Sequence, residues 1–160
     1  MCIRDSVVVV QGLDALADHL GAWDDLARHA AEPNPFHESW FLVAAVQAFG
    51  RDADLRFVLV YADAFPGGLP QLCGFFPLER ARRMRALPLG HLRLWTPAHA
   101  SLGTPLLRKG HEAVALEALH DWLRDDDDGA AVMEWGQVHA DGPVHAALAR
   151  CEATARGAYA

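Results

Sequence analysis

At 160 residues, with 52% hydrophobic and 22% charged side chains and five tryptophans, the chain carries enough apolar surface for one core and lies outside the low-hydrophobicity, high-charge regime of disordered chains. Its formal net charge of −7 argues against a general nucleic-acid or anionic-membrane binder, because phosphate surfaces attract net-basic faces. Apolar stretches such as residues 72–78 are far short of the roughly 20 residues that span a bilayer, and the four valines 7–10 are too few for a signal sequence; a cytoplasmic protein is expected.

Residues 1–6, MCIRDS, share no pattern with the rest of the chain and resemble a translated sequencing-adapter remnant, so a single domain is expected from Val7 to Ala160. Val7, Val8, Val9 and Val10 read as a short strand. From Leu13, a 3.6-residue stripe of Leu16, Leu20, Trp23, Ala27 and Ala30 predicts one amphipathic helix ending before Pro33. Asn34-Pro35 signals a turn. Ser39 is placed to cap a second helix whose Trp40, Phe41, Ala44, Ala45, Ala48 and Phe49 form the expected buried face, until Gly50 stops it. Residues 55–62 and 71–79 are aliphatic and aromatic runs on either side of a segment containing Pro66-Gly67-Gly68, a hairpin signal. Pro77 cannot donate to a ladder, which predicts a strand end, a bulge or an edge there.

Residues 91–96 read as another strand, and the Pro, Gly, Ser and Thr content of residues 97–110 as a long loop. A third helix is expected over residues 111–124, with Ala115, Leu116, Leu119, Trp122 and Leu123 inward. Asp125 to Asp128 oppose the negative end of its dipole and should end it. Residues 130–135 predict a strand, and Asp141-Gly142-Pro143 a start for a helix over residues 144–156. The sum is a mixed α/β fold, a sheet of about five strands flanked by about four helices.

Several residues carry a family resemblance in combination: Trp23 and Leu26; Phe36-His37-Glu38-Ser39-Trp40; Phe49-Gly50; the strand from Phe57 to Tyr61; Cys73-Gly74-Phe75-Phe76-Pro77-Leu78; and Gly103 to Leu107. Over roughly residues 7–157 the chain resembles the first lobe of the FemAB-like and cellulose-biosynthesis-type acetyltransferases of the GNAT superfamily. That resemblance implies an acyltransferase of two lobes, whose missing C-terminal lobe, joined in cis, binds acetyl-CoA or another acyl-CoA and carries catalysis. This lobe would contribute scaffold and acceptor groove, would hold no cofactor of its own, and would be a fragment inactive alone. The rival expectation, from the residues only, is a non-catalytic α/β module binding a small ligand or partner.

The candidate chemistry is sparse. Gln71-Leu72-Cys73-Gly74-Phe75-Phe76 matches an acyl-CoA phosphate loop only in part, because Phe76 stands where a small residue is needed and Pro77-Leu78 continue a strand. His99-Ala100-Ser101-Leu102-Gly103 departs from a hydrolase nucleophile elbow at His99. The same loop joins a strand to a helix, a usual place for ligand-binding side chains, which makes His99, Ser101 and Thr104 the substrate-groove candidates. His111-Glu112 begins like a zinc helix, but Ala115 occupies the second ligand position. The other histidines lack ligand spacing, and His19, His29 and His120 read as solvated. Cys2, Cys73 and Cys151 have no short spacing and read as reduced thiols. Arg80, Arg82, Arg83 and Arg85 form the one dense basic cluster. Guanidinium forks suit phosphates and carboxylates, so Arg82 and Arg83 are candidates to grip a lipid-linked or nucleotide-linked acceptor, against a solvated hairpin tip.

Overall fold

Along β2 (Leu55–Asp63) successive side chains face opposite ways, and both sides are apolar: Phe57 and Leu59 enter one core, Val58 and Val60 another. A strand apolar on both faces needs a layer over each. The computed structural model, which describes residues 6–82, 90–125 and 132–157, supplies both. Helices α1 (Leu13–Ala17), α2 (Leu20–Arg28) and α3 (Ser39–Phe49) cover the first face through Leu16, Trp23, Leu26, Leu42 and Ala45. Helices α4 (Glu112–Asp125) and α5 (Pro143–Gly157) cover the second through Ala115, Leu116, Leu119, Val144, Ala147 and Leu148. The fold is mixed α/β.

The six-stranded sheet has the order β1 (Ser6–Val10), β2, β3 (Pro70–Ala81), β4 (His91–Leu94), β6 (Met133–Glu134), with β5 (Leu106–Leu107) paired to β3. All pairings are antiparallel except β4 with β6. The β2–β3 register slips by one residue: Val60 opposes Gly74 while Tyr61 opposes Leu72, leaving Cys73 as the extra residue of a bulge. Leu72 therefore enters the first core and Cys73 the second. Gly74 faces α4, and a Cβ there would stand 2.9 Å from that of Ala115, so the glycine sets how closely the helix approaches.

Pro77 does not end β3. The second edge of β3 is shared by two short strands, β5 at Gly74 and Phe75 and β4 from Leu78 to Ala81, and Pro77 falls in the gap between them. Its missing N–H faces that gap, where no ladder partner waits, while its carbonyl accepts from the Trp95 N–H at 2.8 Å.

Other expectations are corrected by the structure. The helix expected from Leu13 is broken at Asp18 and His19 into α1 and α2. The break shifts the stripe so that Leu16, Trp23 and Leu26 are inward while Leu20 is exposed. His19 is not simply solvated, since its Nδ1 lies 2.7 Å from the Tyr61 hydroxyl. Residues 106 and 107, read as loop, form β5. On α3 the inward residues are Leu42 and Ala45, whereas Trp40 is 66% exposed and Phe49 54%. Apart from Ser39 and Gln47 the helix is apolar, so its periodicity did not mark the inner face. Residues 126–131, including three of the aspartates expected to end α4, lie outside the described residues, as do residues 1–5.

Candidate functional site

β4 and β6 run parallel, so the chain leaves both at the same end of the sheet, and loops carried on a rigid scaffold are where binding side chains concentrate. Residues 95–105 follow β4 and residues 135–142 follow β6, and hydrogen bonds join the two loops. The Gly103 N–H donates to the Gln137 carbonyl at 3.0 Å, and the His139 N–H to Thr104 Oγ1 at 3.4 Å. Only glycine fits at position 103, where a Cβ would meet the Gly136 carbonyl oxygen at 2.6 Å. Gln137 holds a left-handed backbone with φ of 55°, a conformation that costs a non-glycine residue energy and concentrates at ligand-binding loops.

The other flank of residues 95–105 rests on the connection between α2 and α3. Asn34 is fully buried there and donates from Nδ2 to the carbonyls of Thr104 at 2.7 Å and Leu102 at 3.3 Å. Its Oδ1 accepts the Phe36 N–H at 3.0 Å, starting the 3₁₀ turn Pro35–His37. His37 is also fully buried, and its carbonyl accepts Trp23 Nε1 at 2.9 Å. Neither of its ring nitrogens reaches a partner in hydrogen-bond geometry. Burial pushes its pKa down to about 4, against a weaker opposing pull from the backbone of Trp95 and Thr104. From the same connection Glu32 Oε2 accepts the Val144 N–H at 2.8 Å and so caps α5 where the second loop enters it.

Of the groove candidates, His99 and Ser101 are exposed on the first loop, and the His99 ring stands edge-on to Phe49 with centroids 5.6 Å apart. Thr104 is fully buried and bonded on both sides, so it holds the loops together and presents no hydroxyl to the surface. Arg82 is exposed at the other end of β4, beside a cleft of about 380 Å³ lined also by Asp54, Arg80, Ala81 and Gly90. Arg83 and Arg85 lie outside the described residues. The structure therefore places the loop candidates and the arginine candidate at opposite ends of one strand. Asn34, His37, Glu32, Gln137 and His139 were not read as parts of a site. Asn34-Pro35 gave only a turn signal, and nothing in the residues around Gln137 announces a positive φ.

No family model, curated protein or solved structure matches this chain.

The first loop can therefore offer one imidazole and one hydroxyl at the surface, and the second a polar rim of Gln137, His139 and Asp141, all exposed. Such groups can hydrogen-bond an amine, a hydroxyl or a carboxylate. Among the described residues no group of three or more His, Cys, Asp or Glu side chains is placed to hold a metal ion, and no helix is long and apolar enough to cross a membrane. Gln71 to Phe76, the partial phosphate-loop match, lies within β3.

Proposed function

We propose that this chain is the acceptor-binding lobe of a cytoplasmic GNAT-type N-acyltransferase, an enzyme that moves an acyl group from acyl-CoA to an amine or hydroxyl. The residue resemblance over residues 7–157 supports the reading, and the observation that carries it is the hydrogen-bonded convergence of residues 95–105 and 135–142 beyond β4 and β6. In the whole enzyme the acceptor nitrogen or oxygen attacks the thioester carbonyl, loses a proton, and coenzyme A leaves as its thiol. His99 and Ser101 orient that acceptor, and Thr104 keeps their loop in place. Acyl-CoA, the co-substrate, belongs to a second lobe in cis. Arg82, with Arg83, would take the distal phosphate of an extended lipid-linked or nucleotide-linked acceptor, because its cleft lies at the far end of β4.

The test is nitrogen-15 NMR of the chain titrated with primary amines, sugars and acetyl-CoA. Acceptor-like amines or sugars are expected to move the amides of residues 95–105 and 135–142, and acetyl-CoA to show no micromolar affinity, equivalent to about −8 kcal/mol. Micromolar acetyl-CoA binding, or acceptor shifts confined to other surfaces, would overturn the assignment. A second reading, a non-catalytic module that binds a partner, is favoured by the exposure of Trp40. A ligand whose shifts centre on α3 would support it.

A further inference from the structure

From Ser39 to Gly50 the chain has no charged residue, and its outer side is mostly apolar: Trp40, Ala44 and Ala48 are exposed at i, i+4 and i+8, with Phe41 half-buried beside them and the amide of Gln47 the one exposed polar group on the stripe. Phe36 and Trp40 both stand edge-on to Phe41, at centroid distances of 5.1 and 5.8 Å, so the aromatic end of this face is one continuous cluster. A helix so largely apolar is ordinarily covered on most sides, and within the described residues nothing packs over this side of α3.

We infer that α3 pairs antiparallel with α3 of a second copy of this chain, across a two-fold axis at Ala44. The shape is self-complementary, as a two-fold contact requires. The face is large at one end, with Trp40, and small in the middle and at the hollow of the other end, with Ala44 and Ala48, beside which the flexible Gln47 keeps its amide at the rim. Antiparallel pairing sets each indole into the hollow over the partner's Ala48, and the alanines let the helix axes approach to roughly 8 Å. Charge is compatible with the same register. Glu38 stands at the start of the face, its carboxylate bonded to Trp40 Nε1 at 2.8 Å, with Asp24 and Arg28 lining the cleft beside it, and Arg51 is exposed just beyond the other end, next to exposed Asp52. A pairing that places position 40 against 48 and 44 against itself also places position 38 near 51, carboxylate against guanidinium, twice per dimer. The reverse, parallel arrangement would stack like charges and leave the indoles against each other.

The inference is independent of the acceptor-site reading, since it concerns a different surface and is tested without substrate. The full 160-residue chain is studied by sedimentation equilibrium. One helix pair makes a small interface, so a reversible dimer with a Kd on the order of 10 µM is expected. Ala44 is exposed in the monomer, so Ala44→Glu should leave the circular-dichroism spectrum and Tm unchanged while weakening the dimer at least about tenfold, by setting two carboxylates face to face on the axis. Glu38→Arg should weaken it several-fold, and adding Arg51→Glu should restore it. Under mild oxidation Ala44→Cys should cross-link to its own copy faster than Ala113→Cys, an exposed position on α4. A chain that stays monomeric at roughly 0.5 mM, a dimer indifferent to Ala44→Glu, or a Glu38→Arg defect that Arg51→Glu does not repair would each overturn it.

Discussion

Asn34 donates from Nδ2 to the Thr104 carbonyl at 2.7 Å, a buried bond across 70 positions of sequence that ties the α2–α3 connection to the loop after β4. Replacing Asn34 by Ala removes this bond, the one to Leu102 and the acceptor for the Phe36 N–H. Unsatisfied buried backbone groups cost about 1–3 kcal/mol each, partly relieved by entering water, so Asn34→Ala should destabilise by roughly 3 kcal/mol. Asn34→Asp keeps the acceptor but loses both donors and should still cost a large part of that. Urea unfolding of the three proteins measures it; a loss under about 1 kcal/mol would show that the clamp is not needed.

His37 gives the fold a pH dependence of known sign. Its pKa in the folded protein is about 4, below the ordinary 6.5, because the ring is wholly buried. The unfolded chain therefore binds a proton that the folded one refuses. Stability is fully present above about pH 6.5 and is lost as the pH falls towards 4, by ~3 kcal/mol in all. The variant His37→Leu should flatten that part of the profile. Because neither ring nitrogen is held in hydrogen-bond geometry, the same change should cost at pH 8 mainly what repacking the buried site requires. Denaturant titrations at pH 8, 6 and 4.5 separate this group from the carboxylates, which titrate mostly lower.

Two tryptophans should behave oppositely. Trp23 is fully buried, stacks on Phe75 with centroids 4.4 Å apart and bonds the His37 carbonyl, so Trp23→Ala should cost roughly 3–5 kcal/mol through the cavity it leaves. Trp40 is 66% exposed, and Trp40→Ala should cost less than about 1 kcal/mol in the monomer, as at most exposed sites. Melting curves at low protein concentration, where association does not contribute, compare them directly.

Arg108 satisfies the bulge in β3. Its backbone N–H donates to the Cys73 carbonyl at 2.7 Å and its Nε to the Leu72 carbonyl at 2.9 Å, while its Nη2 reaches Asp25 Oδ2 at 2.6 Å. The hydrogen bond from Arg108 is the main reason that the Asp25 carboxyl lies below its ordinary pKa. Arg108→Ala strands the Leu72 carbonyl and takes from Asp25 its nearest cation, leaving Arg28 at 3.7 Å and His29 at 3.4 Å, and should cost about 1–3 kcal/mol. Asp25 is half-exposed, so Asp25→Ala should cost less, and the double variant should cost less than the sum of the two. Independent, additive losses in urea unfolding would show that the ion pair contributes nothing.

Much of the fold was legible because it rests on local pattern. The two-sided apolar run at residues 57–60, the hairpin glycines, the inward stripe of Ala115, Leu116 and Leu119, and Pro143 at a helix start are each specified within a few residues, and the structure shows those elements. His99 and Ser101 were legible as surface loop residues for the same reason.

What the sequence did not determine depends on partners far along the chain. Whether Pro77 interrupts β3 turned on two short strands that leave a gap opposite it. The inner face of α3 was misread, because a helix whose one interior polar residue is Gln47 has too weak a periodicity to orient it; the packing of Leu42 and Ala45 decided. Thr104 looked like a ligand hydroxyl until its loop was enclosed between Asn34 and His139. Local composition fixes which segments become helix or strand, since propensity and periodicity act over a few residues. Burial of a single polar side chain is decided by what the rest of the chain brings to it, and only the tertiary structure contains that.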